Sequence, residues 1–296
     1  MMRSVLNLLS LCFFFLCGAC TTAEMGGCKN AVVNFEYKGD GTSDLFRDHI
    51  ANVSYYVYDA TGKQVASGRL ESADLSLFRG FQLRLEAGTY NIICWGNLEH
   101  YCQVTGENRK EEARIVNIAH TTGGIPQSYD PLYHGKALLT ISDVEGKATA
   151  TVTFRSAHIT LWAYTKGVTD YDENGVNHPP VFHVGGFSSE YDFECEGGGI
   201  PLSFSPEAVY KPEYQVSMAR CEVPRFVENT SSQLKVYRQS DYKLLEVVEL
   251  GQFIADNNIE ITGKEEVTIP ILFDFQGIAV EVRMPSWDEV GVSPEW

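Results

Sequence analysis

The chain has 296 residues and a formal net charge of −16, with 39 acidic against 23 basic side chains. Such an acidic surface argues against nucleic acid as a partner, because that needs a basic patch, and against attachment to anionic headgroups by charge. Apolar residues at 44% and aromatics at 12% provide for a real core and exclude a disordered polymer.

The first element is a targeting signal. Arg3 supplies a positive start, Val5 to Cys17 an apolar run too short to span a bilayer, and Gly18-Ala19 the small residues that a signal peptidase needs. Cys20 follows directly. This order reads as a bacterial lipoprotein signal: residues 1–19 leave, and the Cys20 thiol is lipidated at the new N-terminus. Cys17 lacks a small residue before it, and a plain secretory signal with an incidental cysteine is the competing reading. Each acyl chain contributes roughly 0.8 kcal/mol per buried CH2, so more than one chain gives stable anchoring. The remaining 277 residues, with a net charge of −17, make one large domain or two of ordinary size.

Residues 20–30 read as the lipidated N-terminus and a short polar tether. Strand patterns follow from Ala31 to Tyr37. Asn52 to Leu70 holds two β-rich runs around Asp59-Ala-Thr-Gly62, which predicts a hairpin. Phe81 to Leu85 alternates, Ala87-Gly88 turns the chain, and Thr89 to Trp95 is the next strand. Arg114 to Ala119, Lys136 to Ile141 and Ala148 to Phe154 continue the series, the last two around a turn at Asp143 to Gly146. Glu71 to Leu77 and Leu250 to Asn257 have the pattern of short helices. Past Phe154-Arg-Ser-Ala157 the strands resume with Ile159 to Thr165 and run on through VTIPILFDF and IAVEVRM. The expectation is an all-β chain of two antiparallel sandwich domains in tandem, 31–156 and 157–296.

Of eight cysteines, Cys12 and Cys17 leave with the signal, and Cys28, Cys94, Cys102, Cys195 and Cys221 remain beside Cys20. An exported compartment permits disulfides. Cys94 and Cys102 bracket a turn-like segment and could pair, as could Cys195 and Cys221, leaving Cys28 over. Buried free thiols are the competing reading.

Chemistry-bearing motifs are scarce. Asp170-Tyr-Asp172-Glu-Asn174-Gly175 has the opening of an EF-hand loop, but position twelve is Val181 behind Pro179-Pro180, so an acidic surface loop is the better reading and no metal is assigned, with a divalent ion held by a non-EF loop as the competing reading. His100, His134, His178 and His183 are scattered, and no nucleophile, phosphate or dinucleotide motif is present. No catalytic residue and no cofactor are assigned. Trp95 and Trp162 sit among apolar strand residues and read as core or interface aromatics. Trp287 and the terminal Trp296 are less constrained.

The ordered set of motifs resembles the FimB/Mfa-type fimbrial anchor subunits of Bacteroidales, the type V pili. It comprises the lipobox at Cys20, Val33-Asn-Phe35-Glu-Tyr37, Tyr55-Tyr-Val57-Tyr-Asp59-Ala-Thr-Gly62, Leu85-Glu-Ala-Gly88-Thr-Tyr90 with Trp95-Gly-Asn97, Leu132-Tyr-His-Gly135, Phe154-Arg155 and the closing Val280-Glu-Val282-Arg-Met-Pro285-Ser-Trp287. The resemblance is dense in the first half and sparse over 168–265. It implies two transthyretin-like β-sandwich domains and a role without catalysis. It also implies lipid anchoring to the outer membrane and fimbrillin or other fimbrial subunits as partners.

Assembly by strand complementation is implied too: main-chain hydrogen bonds and alternate apolar side chains supply the affinity. A subunit tethered through Cys20 then keeps its first strand, 31–37, and engages the fibre by another edge. Ile278, Val280, Val282 and Met284 alternate with polar residues and form the candidate partner-binding strand. The competing reading is that this strand completes its own domain. The alternative function is a surface lipoprotein that binds glycan or a host ligand through a sandwich face.

Overall fold

The computed structural model describes residues 29–142 and 147–291. The signal, Cys20, Cys28, most of the tether, the Asp143–Gly146 turn and Trp296 lie outside the described residues.

The N-terminal half supplies β1 (Ala31–Glu36), β2 (Val53–Tyr58), β3 (Gln64–Leu70), β4 (Gly80–Leu83), β5 (Gly88–Gly96), β6 (Cys102–Thr105), β7 (Arg114–Asn117), β8 (Tyr133–Ile141) and β9 (Ala148–Ser156). Seven of these form one sheet in the order β3-β2-β5-β8-β9-β1-β4. β8 and β9 pair only through Tyr133–Lys136 and Thr153–Ser156 and then part. The sheet's two limbs therefore face each other across one interior. Val57 and Ile92 from one limb meet Val33, Phe35, Phe81 and Val152 from the other in a single core. Alternation creates that core: β1 buries Ala31, Val33 and Phe35 and turns the residues between them outward. Phe35 meets Phe154 edge-on with centroids 5.5 Å apart and stacks on Phe46. Full burial of each such ring stabilises by roughly 1.5–3 kcal/mol. The β2–β3 turn forms as expected, with Asp59 Oδ1 accepting from the backbone N–H groups of Thr61 and Lys63.

The C-terminal half supplies β10 (His158–Lys166), β11 (Val181–Phe187), β12 (Glu190–Asp192), β13 (Gly197–Gly198), β14 (Leu202–Phe204), β15 (Ala208–Lys211), β16 (Val216–Pro224), β17 (Gln233–Tyr237), β18 (Leu244–Glu249), β19 (Thr268–Gln276) and β20 (Ala279–Arg283). A five-stranded sheet, β15-β16-β10-β19-β20, packs on a four-stranded sheet, β14-β11-β17-β18. Within these mostly antiparallel sheets two pairings are parallel, β1 with β9 and β10 with β19. In each half the first strand lies between an antiparallel neighbour (β4 or β16) and a late strand running its own way.

The halves are not separate at their junction. A fourth sheet, β13-β12-β7-β6, draws two strands from each half. Trp95, Ile115, Tyr129 and Leu132 of the first half share a core with Tyr191, Phe193, Phe204 and Phe273 of the second. Short helices form at Phe46–His49, Ser72–Leu77, Ile118–Thr121, Leu250–Asp256 and Trp287–Val290. The second and fourth match the expected ones, and the fourth buries Leu250, Phe253 and Ile254. The second starts with a capping box between Glu71 and Asp74.

The four described cysteines are free thiols, which corrects the candidate pairings. Cys94 lies in the N-terminal core and Cys102 in the shared core, so strand alternation directs them into different interiors. Cys221 is wholly enclosed in the shared core, and Cys195 packs against it from outside. Burial pushes the Cys94 and Cys221 thiols up.

Candidate functional site

The expected partner-binding strand lies near the C-terminus and the expected retained strand near the N-terminus, so the terminal strands are taken first. β1 is internal. It pairs with β9 from Ala31↔Ala148 to Glu36↔Thr153 and with β4 from Ala31↔Leu83 to Asn34↔Gly80. Both edges of the first strand are thus occupied by this chain's own strands, and its apolar face is enclosed.

β20 is different. It pairs with β19 from Gln276↔Ala279 to Leu272↔Arg283 and stands last in its sheet, so among the described residues no strand lies along its outer edge. A two-residue turn, Gly277-Ile278, joins the pair, and Gly277 takes φ +68°, which the first central position of such a turn requires. This corrects part of the expected strand. Ile278 sits at the turn tip, fully exposed, and Met284 lies beyond the strand and is exposed. Val280 and Val282 are in the strand and pack against the shared core.

The chain beyond β20 folds back over the sheet. Val290 is wholly buried against Tyr164 and Leu272, with Trp287 and Trp162 beside them. Arg283 makes a two-pronged ion pair with Glu289, its Nη1 and Nη2 lying 2.9 and 2.8 Å from the two carboxylate oxygens. Those bonds hold the Glu289 carboxyl below the usual carboxylate range. Lys166 Nζ adds a contact to Glu289 at 3.5 Å. The segment is therefore fastened by a strand ladder, an apolar plug and an ion pair.

The other residues singled out by sequence play structural parts. Trp95 is wholly buried, and His134 lies against it, centroids 4.7 Å apart, with Nε2 donating to the Phe193 carbonyl. Trp162 is half-buried beneath the Arg220 guanidinium. Asp172 Oδ1 accepts from the backbone of Asn174 and Val176, and Asp170 Oδ2 from that of Ser240, so both acids are spent on loop geometry. His178 stands 3.6 Å from Asp172, and His183 bonds Tyr242 elsewhere. Among the described residues no three His, Cys, Asp or Glu side chains converge as a metal site, and no helix is long and apolar enough to cross a membrane.

Sequence reasoning missed Asp130, whose carboxylate organises the loop before β6, and Glu265 and Glu266, which clasp the two halves. Single acids in loops carry no periodic signal.

The fold has solved relatives. A candidate polysaccharide-binding protein of Bacteroides thetaiotaomicron superposes with a TM-score of 0.67 at 16% identity, covering 89% of this chain and 100% of that one. A candidate adhesin of Bacteroides ovatus gives 0.66 at 14%, covering 85% and 94%. The fimbrial anchor protein Mfa2 of Porphyromonas gingivalis gives 0.62 at 14%, again covering 85% and 94%. At such identities the likeness establishes the fold alone. No curated protein matches the chain. The fimbrillin-A associated anchor proteins Mfa1 and Mfa2 form a family whose model matches residues 24–293, nearly everything that follows Cys20, and the chain belongs to that family.

Proposed function

We propose that the chain is a fimbrial anchor or accessory subunit, held to the outer membrane by lipid on Cys20 and joined to the fibre by strand complementation at its C-terminal edge. Family membership over residues 24–293 is the observation that carries the reading. Two features of the molecule support the finer parts. β1 starts eleven residues after Cys20 and is locked between β4 and β9, so a chain held at Cys20 keeps a complete first strand. β20 offers an open edge whose inward valines are already seated, which is the geometry of a strand ladder awaiting one more member. The division into domains 31–156 and 157–296 belongs to the same proposal.

Immunogold labelling of sheared and unsheared fibres, from wild-type and Cys20→Ala cells, tests it. Label at fibre bases, with fibres shed into the medium by the mutant, is the expected result. Label at free tips makes the chain an accessory subunit. Absence from every fibre defeats the reading and favours a surface lipoprotein that binds glycan, the second reading, which the name of the Bacteroides thetaiotaomicron relative supports.

A further inference from the structure

The outward face of β14-β11-β17-β18 is not flat. It holds a groove of about 240 Å³ lined by His183, Gly185, Ser203, Gln233, Lys235 and Tyr237. Alternation builds it: Phe182, Val184, Leu234 and Val236 point into the shared core, and the residues between them point out. Register then sets the neighbours. His183 faces Lys235, and Gly185 lies between Ser203 on one side and Gln233 on the other. Glycine at 185 leaves the floor bare, since a Cβ there would stand 2.6 Å from Ser203 Oγ.

One end of the groove is a wall of rings. Tyr237 and Tyr242 stack with centroids 5.0 Å apart and planes 23° apart. His183 meets both rings edge-on at 5.2 and 5.8 Å, and its Nε2 shares a hydrogen bond with the Tyr242 hydroxyl. Tyr242 is 54% exposed, so this aromatic surface faces solvent and is not spent on the core.

The polar groups are set for recognition. Gln233 Nε2 donates to Glu249, which fixes the amide and leaves its carbonyl oxygen to accept. Lys235 makes no ion pair with any described residue, although acids outnumber bases along the whole chain. An unpaired cation in a groove of an acidic protein selects an anionic group on whatever enters.

We propose that this groove binds an acidic glycan. A pyranose ring lays its C–H face on the Tyr237–Tyr242 wall, its hydroxyls exchange hydrogen bonds with Gln233 and Ser203, and a sugar carboxylate meets Lys235. The groove matches one or two sugar rings in size. Its mixture of one aromatic wall with fixed donors and acceptors is the chemistry such a ring demands.

The test uses the purified mature chain carrying Cys20→Ala, so that neither lipid nor fibre takes part and the outcome is independent of the anchor reading. A glycan array comes first. Calorimetry follows with galacturonate oligomers and neutral galactose oligomers of equal length. The acidic oligomer binds and the neutral one binds markedly less. Lys235→Ala and Tyr237→Ala each weaken the acidic oligomer about tenfold or more. Lys235→Ala keeps the unfolding midpoint, since its side chain faces solvent. No retained glycan, equal binding of the neutral oligomer, or unchanged affinity in folded Lys235→Ala each overturns the proposal.

Discussion

Tyr133 Oη donates a hydrogen bond of 2.9 Å to Glu266 Oε1, and so ties β8 of the first half to the loop that leads into β19 of the second. The Tyr37 hydroxyl donates to the same oxygen, and His49 Nδ1 lies 3.4 Å from it. Beside it, Glu265 donates its backbone N–H to Asp40 and accepts from the Ser156 N–H. Two adjacent acids thus clasp the halves from one side, opposite in kind to the apolar seam. Glu266→Ala takes the acceptor from the Tyr37 phenol and leaves that of Tyr133 only His49 Nδ1, 3.2 Å away, and it lowers stability by about 2 kcal/mol. Urea unfolding of the mature chain measures it.

The same clasp sets an alkaline limit. Burial, reinforced by Glu266, raises the Tyr37 and Tyr133 hydroxyls well above the ordinary phenol value. The folded state then binds more protons than the unfolded state once pH passes the unfolded phenol value near ~10. The stability these groups carry is complete below that point and falls as pH rises above it. Tyr37→Phe makes the fall shallower. Unfolding midpoints from pH 8 to about 11 read the slope.

Asp130 accepts four backbone hydrogen bonds. Its two oxygens accept the backbone N–H groups of Glu99, His100, Tyr101 and Cys102 at 2.9–3.1 Å. It is 1% exposed, so water cannot replace it. Asp130→Ala strands these donors and costs about 3–5 kcal/mol, a large share of an ordinary domain's stability. Amide exchange at residues 99–102 accelerates in the variant if the reasoning holds, and unchanged protection there contradicts it.

His134 gives an acid limit. Burial holds its pKa down to about 4 against an unfolded value of 6.5. The unfolded state therefore binds the extra proton first, and stability declines as pH falls from about 6.5 towards 4, by on the order of 3 kcal/mol over the window. His134→Gln can keep a donor for the Phe193 carbonyl and removes the titration. Its unfolding midpoint changes less than the wild type's between pH 7 and about 4.5.

The C-terminal edge has a direct test. Phe275 and Val280 face each other across β19 and β20. Phe275→Cys with Val280→Cys permits a cross-link that fixes β20 in place. If β20 serves as a fixed edge, oxidised cells retain their fibres as well as reduced ones. Loss of fibres on oxidation alone means that β20 leaves its sheet and is donated.

Much of the fold was legible because its signals are local. Asp59-Ala-Thr-Gly62 announces a hairpin, the alternation of Val33 and Phe35 announces a half-buried strand, and Leu250, Phe253 and Ile254 announce a helix face. β6, β12 and β13 were not legible. They span two to four residues (CQVT, EYD and GG), and the partners that make β7 and β12 a ladder lie about 75 residues apart in sequence. Ile278 misled because alternation ran past the strand into a turn, where Gly277 resets the register. The spacing of Cys94 and Cys102 could not show that they enter different cores. The outward residues of the groove can be read from alternation, but their meeting depends on the register of three strands, which no single segment contains.

The parallel pairing of β1 with β9 decides how the molecule bears tension. A pull between Ala31 and Ser156 draws the two strands in opposite senses along their length, so the six residue pairs of that ladder are sheared together and not peeled one at a time. The seven pairs between β10 and β19 repeat the arrangement next in line along the chain. Two shear clamps therefore stand in series along the described chain, one in each half. Forced opening therefore has to break a whole ladder in one event, and its rate sets how long the molecule holds under steady drag.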